Sequence, residues 1–244
     1  MTVLAIQNDP TDPPLLIGDW LDEAGVPYTV LRADEGHPVP RSVPDGVTGV
    51  IALGGEMGAH DDDVAPWLAD ERALLVDAVD RGIPVLGVCL GGQLLAAATG
   101  GRVTLGPVTE IGCVRVHLTD AGASDPVTAS LLVGDDGRAP AAQWHQDNIV
   151  ELPPGADLLV TGDACRVQGF RIGGTAYGLQ LHPELDADTF AQWAAMSSDA
   201  ALRRSGVDPD AVTAEVVAQE HEMARAWRPV ALAWAALVRD RAQA

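Results

Sequence analysis

The sequence predicts an α/β fold: a single domain on a mostly parallel central sheet flanked by helices, with a small antiparallel extension. Three observations carry this. In the N-terminal part, short apolar runs of β type alternate with amphipathic stretches, the pattern of βαβ units whose strands are buried on both faces. Further on the runs become short and strand-like, and the chain then turns helical towards its end. At 244 residues with 47% hydrophobic content, the chain can bury one substantial core.

The elements follow in order. Val3–Gln7 reads as the first strand and Pro13–Ala24 as a helix with proline at its start, where a missing N–H is harmless. Tyr28–Arg32 and Gly49–Leu53 read as strands, and Asp63–Arg81 as a helix with Pro66 in its first turn. Val85–Val88 is a strand that runs into a helix. The stretches Arg102–Leu118 and Ala141–Leu181 hold the strands of the antiparallel extension. Beyond Glu184 three helices are expected: Ala187–Met196, Asp208–Ala226 and Pro229–Arg241. No repeat or low-complexity linker divides the chain, so residues 1–244 are read as one domain with C-terminal helices over 187–244.

Val85–Leu95, VLGVCLGGQLL, is the stretch that carries chemistry. A strand that turns at once into a helix needs small residues on both sides of the turning position. Gly87 and Gly91 supply them, which puts Cys89 on a tight elbow with its sulfur pushed outward. The helix that follows points its free N–H groups and positive dipole end at that sulfur. A thiol so placed loses its proton more easily, and the thiolate is the nucleophile. Cys113 and Cys165 sit in no elbow and read as inert core residues.

About ninety residues further on lies GLQLHPE, Gly178–Glu184. Alternation along a strand end puts His182 and Glu184 on one face, with Pro183 stiffening the link. Glu184 can then hold one imidazole nitrogen while the other faces Cys89, the logic of a nucleophile, a base and an orienting acid. The chain order Cys, His, Glu argues against an α/β-hydrolase, which places its acid before the histidine.

On these residues the chain resembles the class I glutamine amidotransferase family, whose Cys-His-Glu triad removes the amide nitrogen of glutamine. The matching segments are GVCLGGQ at Gly87–Gln93, LGG at Leu53–Gly55 and GLQLHPE at Gly178–Glu184. APWL at Ala65–Leu68, EIG at Glu110–Gly112, QWHQD at Gln143–Asp147 and ELPPGA at Glu151–Ala156 resemble a stand-alone bacterial subgroup. That subgroup is similar to the amidotransferase part of GMP synthase. The resemblance runs from about Val3 to the final helices, and it implies a flavodoxin-like sheet of the family's type.

When a thiolate attacks a carboxamide, charge builds on oxygen and must meet fixed donors. The N–H of Leu90, just after the nucleophile, is one candidate, and an N–H in the turn Gly54–Gly55–Glu56 is the other. The resemblance puts the family's oxyanion glycine at Gly55 and gives Glu56 no role. It also places Gln93 at a position that contacts the bound glutamine. Trp144, His145 and Asp147 fall in the segment that grips the substrate's α-amino and α-carboxylate groups, where His145 is read as a binding or loop-anchoring residue.

Composition excludes several classes. A net charge of −20 disfavours nucleic acid and anionic membrane as partners, since both are polyanions. The chain has no lysine, so a Walker A loop, a pyridoxal Schiff base and a biotin or lipoyl attachment site are all excluded. His60–Asp63 reads as a solvated loop rather than a metal site, because consecutive loop residues cannot all face one ion. No cofactor or metal is expected. Three cysteines without paired spacing suit a reducing compartment, and no stretch reaches the ~18 apolar residues of a membrane span. The opening MTVLAIQNDP reads as a strand rather than a signal peptide, so a cytoplasmic protein is expected.

Three functions fit these residues. The first is an amidotransferase component in which Cys89 forms a γ-glutamyl thioester and ammonia passes to a separate synthase. The second is a hydrolase of γ-glutamyl peptides or amides acting alone. The third is a non-catalytic binding or redox-sensing protein on the same fold. The intact Cys-His-Glu set speaks against the third, and the resemblance favours the first. Expected partners are glutamine or a γ-glutamyl small molecule, a separate synthase subunit, and a second copy of the chain as a homodimer.

Overall fold

The computed structural model describes residues 1–197 and 206–243. Nine strands make one sheet: β1 (Val3–Gln7), β2 (Tyr28–Arg32), β3 (Gly49–Ala52), β4 (Val85–Val88), β5 (Arg102–Leu118), β6 (Ala139–Glu151), β7 (Asp157–Gly162), β8 (Gly169–Ile172) and β9 (Ala176–Leu179). Their spatial order is β2-β1-β3-β4-β9-β8-β7-β5-β6. Pairings from β2 across to β9 are parallel, and those from β9 across to β6 are antiparallel.

The parallel half is buried on both faces, and its strands show why apolar runs were needed. In β1, Val3 and Ala5 enter one core while Leu4 and Ile6 enter the other. The first core is covered by α1 (Leu15–Glu23) and by the long C-terminal helix. The second is covered by α2 (Trp67–Asp80) and α3 (Leu90–Ala98), through Leu68, Leu74, Leu75, Leu94 and Leu95. A short helix α4 (Asp120–Ser124) and helix α5 (Ala187–Met196) complete the framework before the last helix, α6 (Pro209–Gln243).

Three expectations change. The antiparallel part is as extensive as the parallel part, because β5 and β6 are 17 and 13 residues long. Their pairing is interrupted by register shifts at Arg102/Val103 and Leu105/Glu110, which break the alternation that marks a strand in sequence. Helix α2 opens at Trp67 rather than Asp63, since Asp61–Ala65 is taken up by a turn in which Ala65 N–H bonds to Asp61 O at 2.9 Å. The two helices expected over 208–241 are one continuous 35-residue helix with Pro229 inside it. Trp227, Val230, Trp234 and Val238 form an unbroken buried stripe across that proline, and this packing outweighs one lost hydrogen bond. Trp227 and Trp234 also donate their indole N–H groups to Pro140 O and Val85 O, at 2.9 and 3.1 Å.

Beneath the site, Glu71 of α2 is fully buried. It accepts a bond from Asn8 Nδ2 at 3.4 Å, and its Oε2 has no partner. Asn8 in turn bonds Leu53 O at 3.2 Å, just before the Gly54–Gly55 turn. Burial pushes the Glu71 carboxyl up to about 8, against the Asn8 bond and the Arg72 charge that favour ionisation. The folded state therefore keeps a proton that the unfolded chain loses near its ordinary value of 4.5. Stability falls as pH rises from there and levels off above about 8. Glu71→Gln cannot ionise, so its melting temperature should gain several degrees on the parent between mildly acidic and mildly alkaline pH. A constant difference across that range would show that Glu71 does not hold the proton.

Candidate active site

Cys89 is the residue between β4 and α3, with φ 48° and ψ −106°. That strained left-handed turn is imposed from both sides. Its N–H bonds to Leu179 O of β9 at 2.8 Å, and its carbonyl accepts from Gln93 N at 3.0 Å. The surrounding glycines are required by contact rather than by dihedral. A methyl on Gly91 would lie 1.9 Å from Ala52 O, one on Gly87 would lie 2.6 Å from Gly91 O, and one on Gly92 would lie 2.5 Å from Leu179 O. Gly87 and Gly91 play the part their sequence positions suggested, and Gly92 joins them.

His182 lies beyond the end of β9 and is held by an isolated bridge, its N–H on Ala142 O at 3.0 Å. Its Nδ1 is 2.8 Å from Glu184 Oε1, and both side chains are almost fully buried. Glu184 is fixed through its own carbonyl, which accepts from Leu16 N of α1 at 3.2 Å. Burial works to lower the imidazole pKa. The charges of Cys89 and Glu184, with hydrogen bonds to both, outweigh it and hold His182 well above its ordinary 6.5. The structure therefore brings Cys89, His182 and Glu184 together in the order expected: thiol, imidazole, carboxylate.

The remaining expected residues converge on the same place. Gly55 lines the cavity in front of Cys89, and a methyl on it would meet the Leu90 side chain at 3.0 Å, so the two residues are neighbours. Leu90 opens α3 and its N–H has no acceptor within the helix. Gln93 donates to Asp147 O at 3.1 Å and to Gln180 Oε1 at 3.3 Å, tying α3 to β6. The Trp144 carbonyl is 4.0 Å from the Cys89 sulfur, while its ring packs edge-on against Phe190 and Trp193. Asp147 faces the cavity, its pKa raised by burial and the nearby Asp61 against His145 and His60. His145 borders the cavity but has both ring nitrogens engaged, with Asp147 O at 3.0 Å and Glu110 Oε2 at 3.1 Å. Of its two expected roles, the geometry favours anchoring the β6 segment over gripping a ligand.

Three residues at the site carried no sequence signal of their own. Gln180, inside the quoted GLQLHPE, points its Nε2 at the Cys89 sulfur at 3.9 Å. Trp193 of α5 stands edge-on to His182, with ring centroids 5.0 Å apart, and its indole N–H reaches Thr11 O at 3.2 Å. Asp12 enters from the loop before α1. Asp12 and Trp193 line, with Cys89 and His182, a cavity of about 600 Å³.

Two groups of residues among those described gather metal-binding atoms within 4.8 Å: Glu110, His145 and Cys165, and Asp12, His182 and Glu184. In the first, Glu110 Oε2 already accepts from Gln168 Nε2 at 2.7 Å as well as meeting His145. In the second, His182 and Glu184 are spent on each other. Hydrogen bonds thus engage Glu110 and His145 in the first group and His182 and Glu184 Oε1 in the second, while Asp12 Oδ1 and Glu184 Oε2 stay unpartnered.

A thiol at a strand–helix elbow, met by a buried histidine–carboxylate pair at the carboxyl edge of a parallel sheet, is the design of cysteine-dependent α/β enzymes. The chain belongs to one family of them: the model described as "Glutamine amidotransferase class-I" matches residues 16–194. A glutamine-hydrolysing GMP synthase from Leifsonia xyli is 31% identical over 202 residues, covering 82% of this chain. One subunit of the glutamine-hydrolysing GMP synthase from Natronomonas pharaonis is 39% identical over 111 residues, covering 44% of this chain. The chain spans only 37% and 55% of these two relatives. Glutamine amidotransferase structures from Thermotoga maritima and Methylobacillus flagellatus superpose with TM-scores of 0.81, at 27% and 29% identity. They match 96% and 98% of this chain and 98% and 94% of their own. Among the described residues no helix is long and apolar enough to cross a membrane.

The ion-pair geometry makes a signed prediction. Cys89→Ala removes both the hydrogen bond and the charge interaction that Cys89 makes with the imidazole, so the His182 pKa should fall, and Glu184→Gln should lower it further. Titration of the imidazole C–H signal by NMR reads this directly. A His182 pKa indifferent to both replacements would break the pairing.

Proposed function

We propose that this chain is a glutaminase of the amidotransferase type, releasing ammonia to a separate acceptor synthase. The observation that carries the reading is the Cys89–His182–Glu184 arrangement on a strained elbow, with His182 Nδ1 on Glu184 at 2.8 Å. Cys89 adds as thiolate to the γ-carboxamide carbon, and the N–H groups of Gly55 and Leu90 hold the oxyanion. His182 gives its proton to the departing nitrogen while Glu184 keeps the ring aligned. Water then attacks the γ-glutamyl thioester, His182 takes its proton, and glutamate leaves. Gln180 supports the thiolate through its amide N–H. Gln93, whose nitrogen is committed to Asp147 and Gln180, offers its oxygen to the substrate, and the Asp147 carboxylate suits the α-amino group. Delivery to a separate chain is supported by relatives that are named as single subunits of a glutamine-hydrolysing GMP synthase.

A second reading, hydrolysis of γ-glutamyl amides without a partner, is favoured by the cavity. Its volume of about 600 Å³ falls in the range of sites for drug-sized ligands, so one free glutamine leaves part of it unfilled.

Cys89→Ala should lower glutamine hydrolysis by on the order of a thousandfold or more while leaving the fold intact. A diazo-ketone analogue of glutamine should label Cys89 alone, because burial pushes Cys113 and Cys165 up to about 11 and keeps them as thiols. Mass spectrometry of the labelled protein decides, and modification at either of those two cysteines would overturn the assignment. Thiolate, imidazole and backbone donors suffice for this step, so turnover should survive chelation and need no nucleotide. Activity lost to a chelator and restored by a divalent metal would sink the mechanism.

A further inference from the structure

The cavity is unbalanced in charge. Asp12, Glu56, Asp61 and Asp147 line it, and among the described residues no arginine does; the chain has no lysine at all. Its two histidines are already committed, His145 to Glu110 and the Asp147 carbonyl, His182 to Cys89 and Glu184.

Within this lining Asp12 is the anomaly. It is 7% exposed, it borders the cavity, and its Oδ1 has no hydrogen-bond partner. A methyl on Gly54 would lie 2.8 Å from Asp12 Oδ2 and 3.1 Å from His182 Cε1, so the carboxyl flanks the imidazole. Burial pushes Asp12 up to about 7, with His182 pulling it down against the charges of Glu184, Asp9 and Glu56. A buried carboxyl with an unmet oxygen costs free energy until a donor reaches it. The donor that meets both its charge and its lone pairs is an ammonium group.

Position decides which part of a substrate would bring that group. His182 hands its proton to the departing nitrogen, so the leaving amine departs on the side where Asp12 stands. Trp193, edge-on to His182 and bonded to Thr11 O, borders the cavity there as apolar surface fit for methylenes. We propose that the site also cleaves γ-glutamyl amides of short diamines, with Asp12 receiving the second, positively charged nitrogen and Glu56 reinforcing it. This rests on the thioester chemistry proposed above. Cys89 adds to the γ-carbonyl, the carbon–nitrogen bond breaks, and the His182 proton leaves on the amine. Water then cleaves the thioester, giving glutamate and restoring the Cys89–His182 pair.

The test uses two amides of the glutamate γ-carboxyl that differ only in charge, the aminobutyl and the n-butyl amide. Calorimetry on Cys89→Ala protein, near pH 8, should show the aminobutyl amide binding about tenfold tighter or more, as for one charge-assisted contact. In the active protein the same preference should appear in kcat/KM. Asp12→Asn should bring the ratio of the two amides close to one in both measurements. Equal affinities in Cys89→Ala protein, or no binding of either amide, would overturn the inference. A preference that persists in Asp12→Asn would overturn the role of Asp12. Selective binding without turnover in the active protein would instead refute the thioester reading while leaving the cation site standing.

Discussion

Everything at the site depends on how closely the first turn of α3 approaches the sheet. The carbonyls of Ala52 and Leu179 press against Gly91 and Gly92, leaving no room for a side chain. That contact fixes the helix axis, forces Cys89 into positive φ, and aims the free N–H groups of α3 at the position where charge develops. The same approach brings the Gly54–Gly55 turn after β3 beside Leu90. The proposed nucleophile and oxyanion donors are thus placed by one packing event, in which the absence of Cβ atoms lets the Cys89 N–H reach Leu179 O.

The second half of the site is built by a different device. His182 sits beyond its strand and owes its place to the bridge with Ala142, to Trp193 against its edge and to Glu184 behind it. Glu184 is anchored in turn by the backbone of α1. The antiparallel half of the sheet contributes here too, since β6 supplies Trp144, His145 and Asp147 and is braced by the buried Glu110–Gln168 pair.

Most of this was legible in the sequence where neighbours along the chain are also neighbours in space. The elbow and the His-Pro-Glu pair are local motifs, and their residue types leave little choice of chemistry. The βαβ half was legible because its strands are uninterrupted apolar runs. Asp12 and Trp193 were not, because the loop before α1 and one face of α5 meet only after the whole domain has packed. The extent of β5 and β6 was hidden by register shifts near Gly106 that disturb the alternation. Pro229 misled for the opposite reason: a strong local signal lost to the buried stripe of tryptophans and valines around it.

Trp193 donates to the carbonyl of Thr11 across 182 residues of sequence. The wall of the site therefore joins the loop before the first helix to a helix made after all nine strands. A ribosome must release all nine strands and then α5 before His182 is shielded and the pocket closed. Until that moment the nascent chain carries His182 without its aromatic cover, and the order of synthesis leaves the site unassembled until the domain is nearly complete.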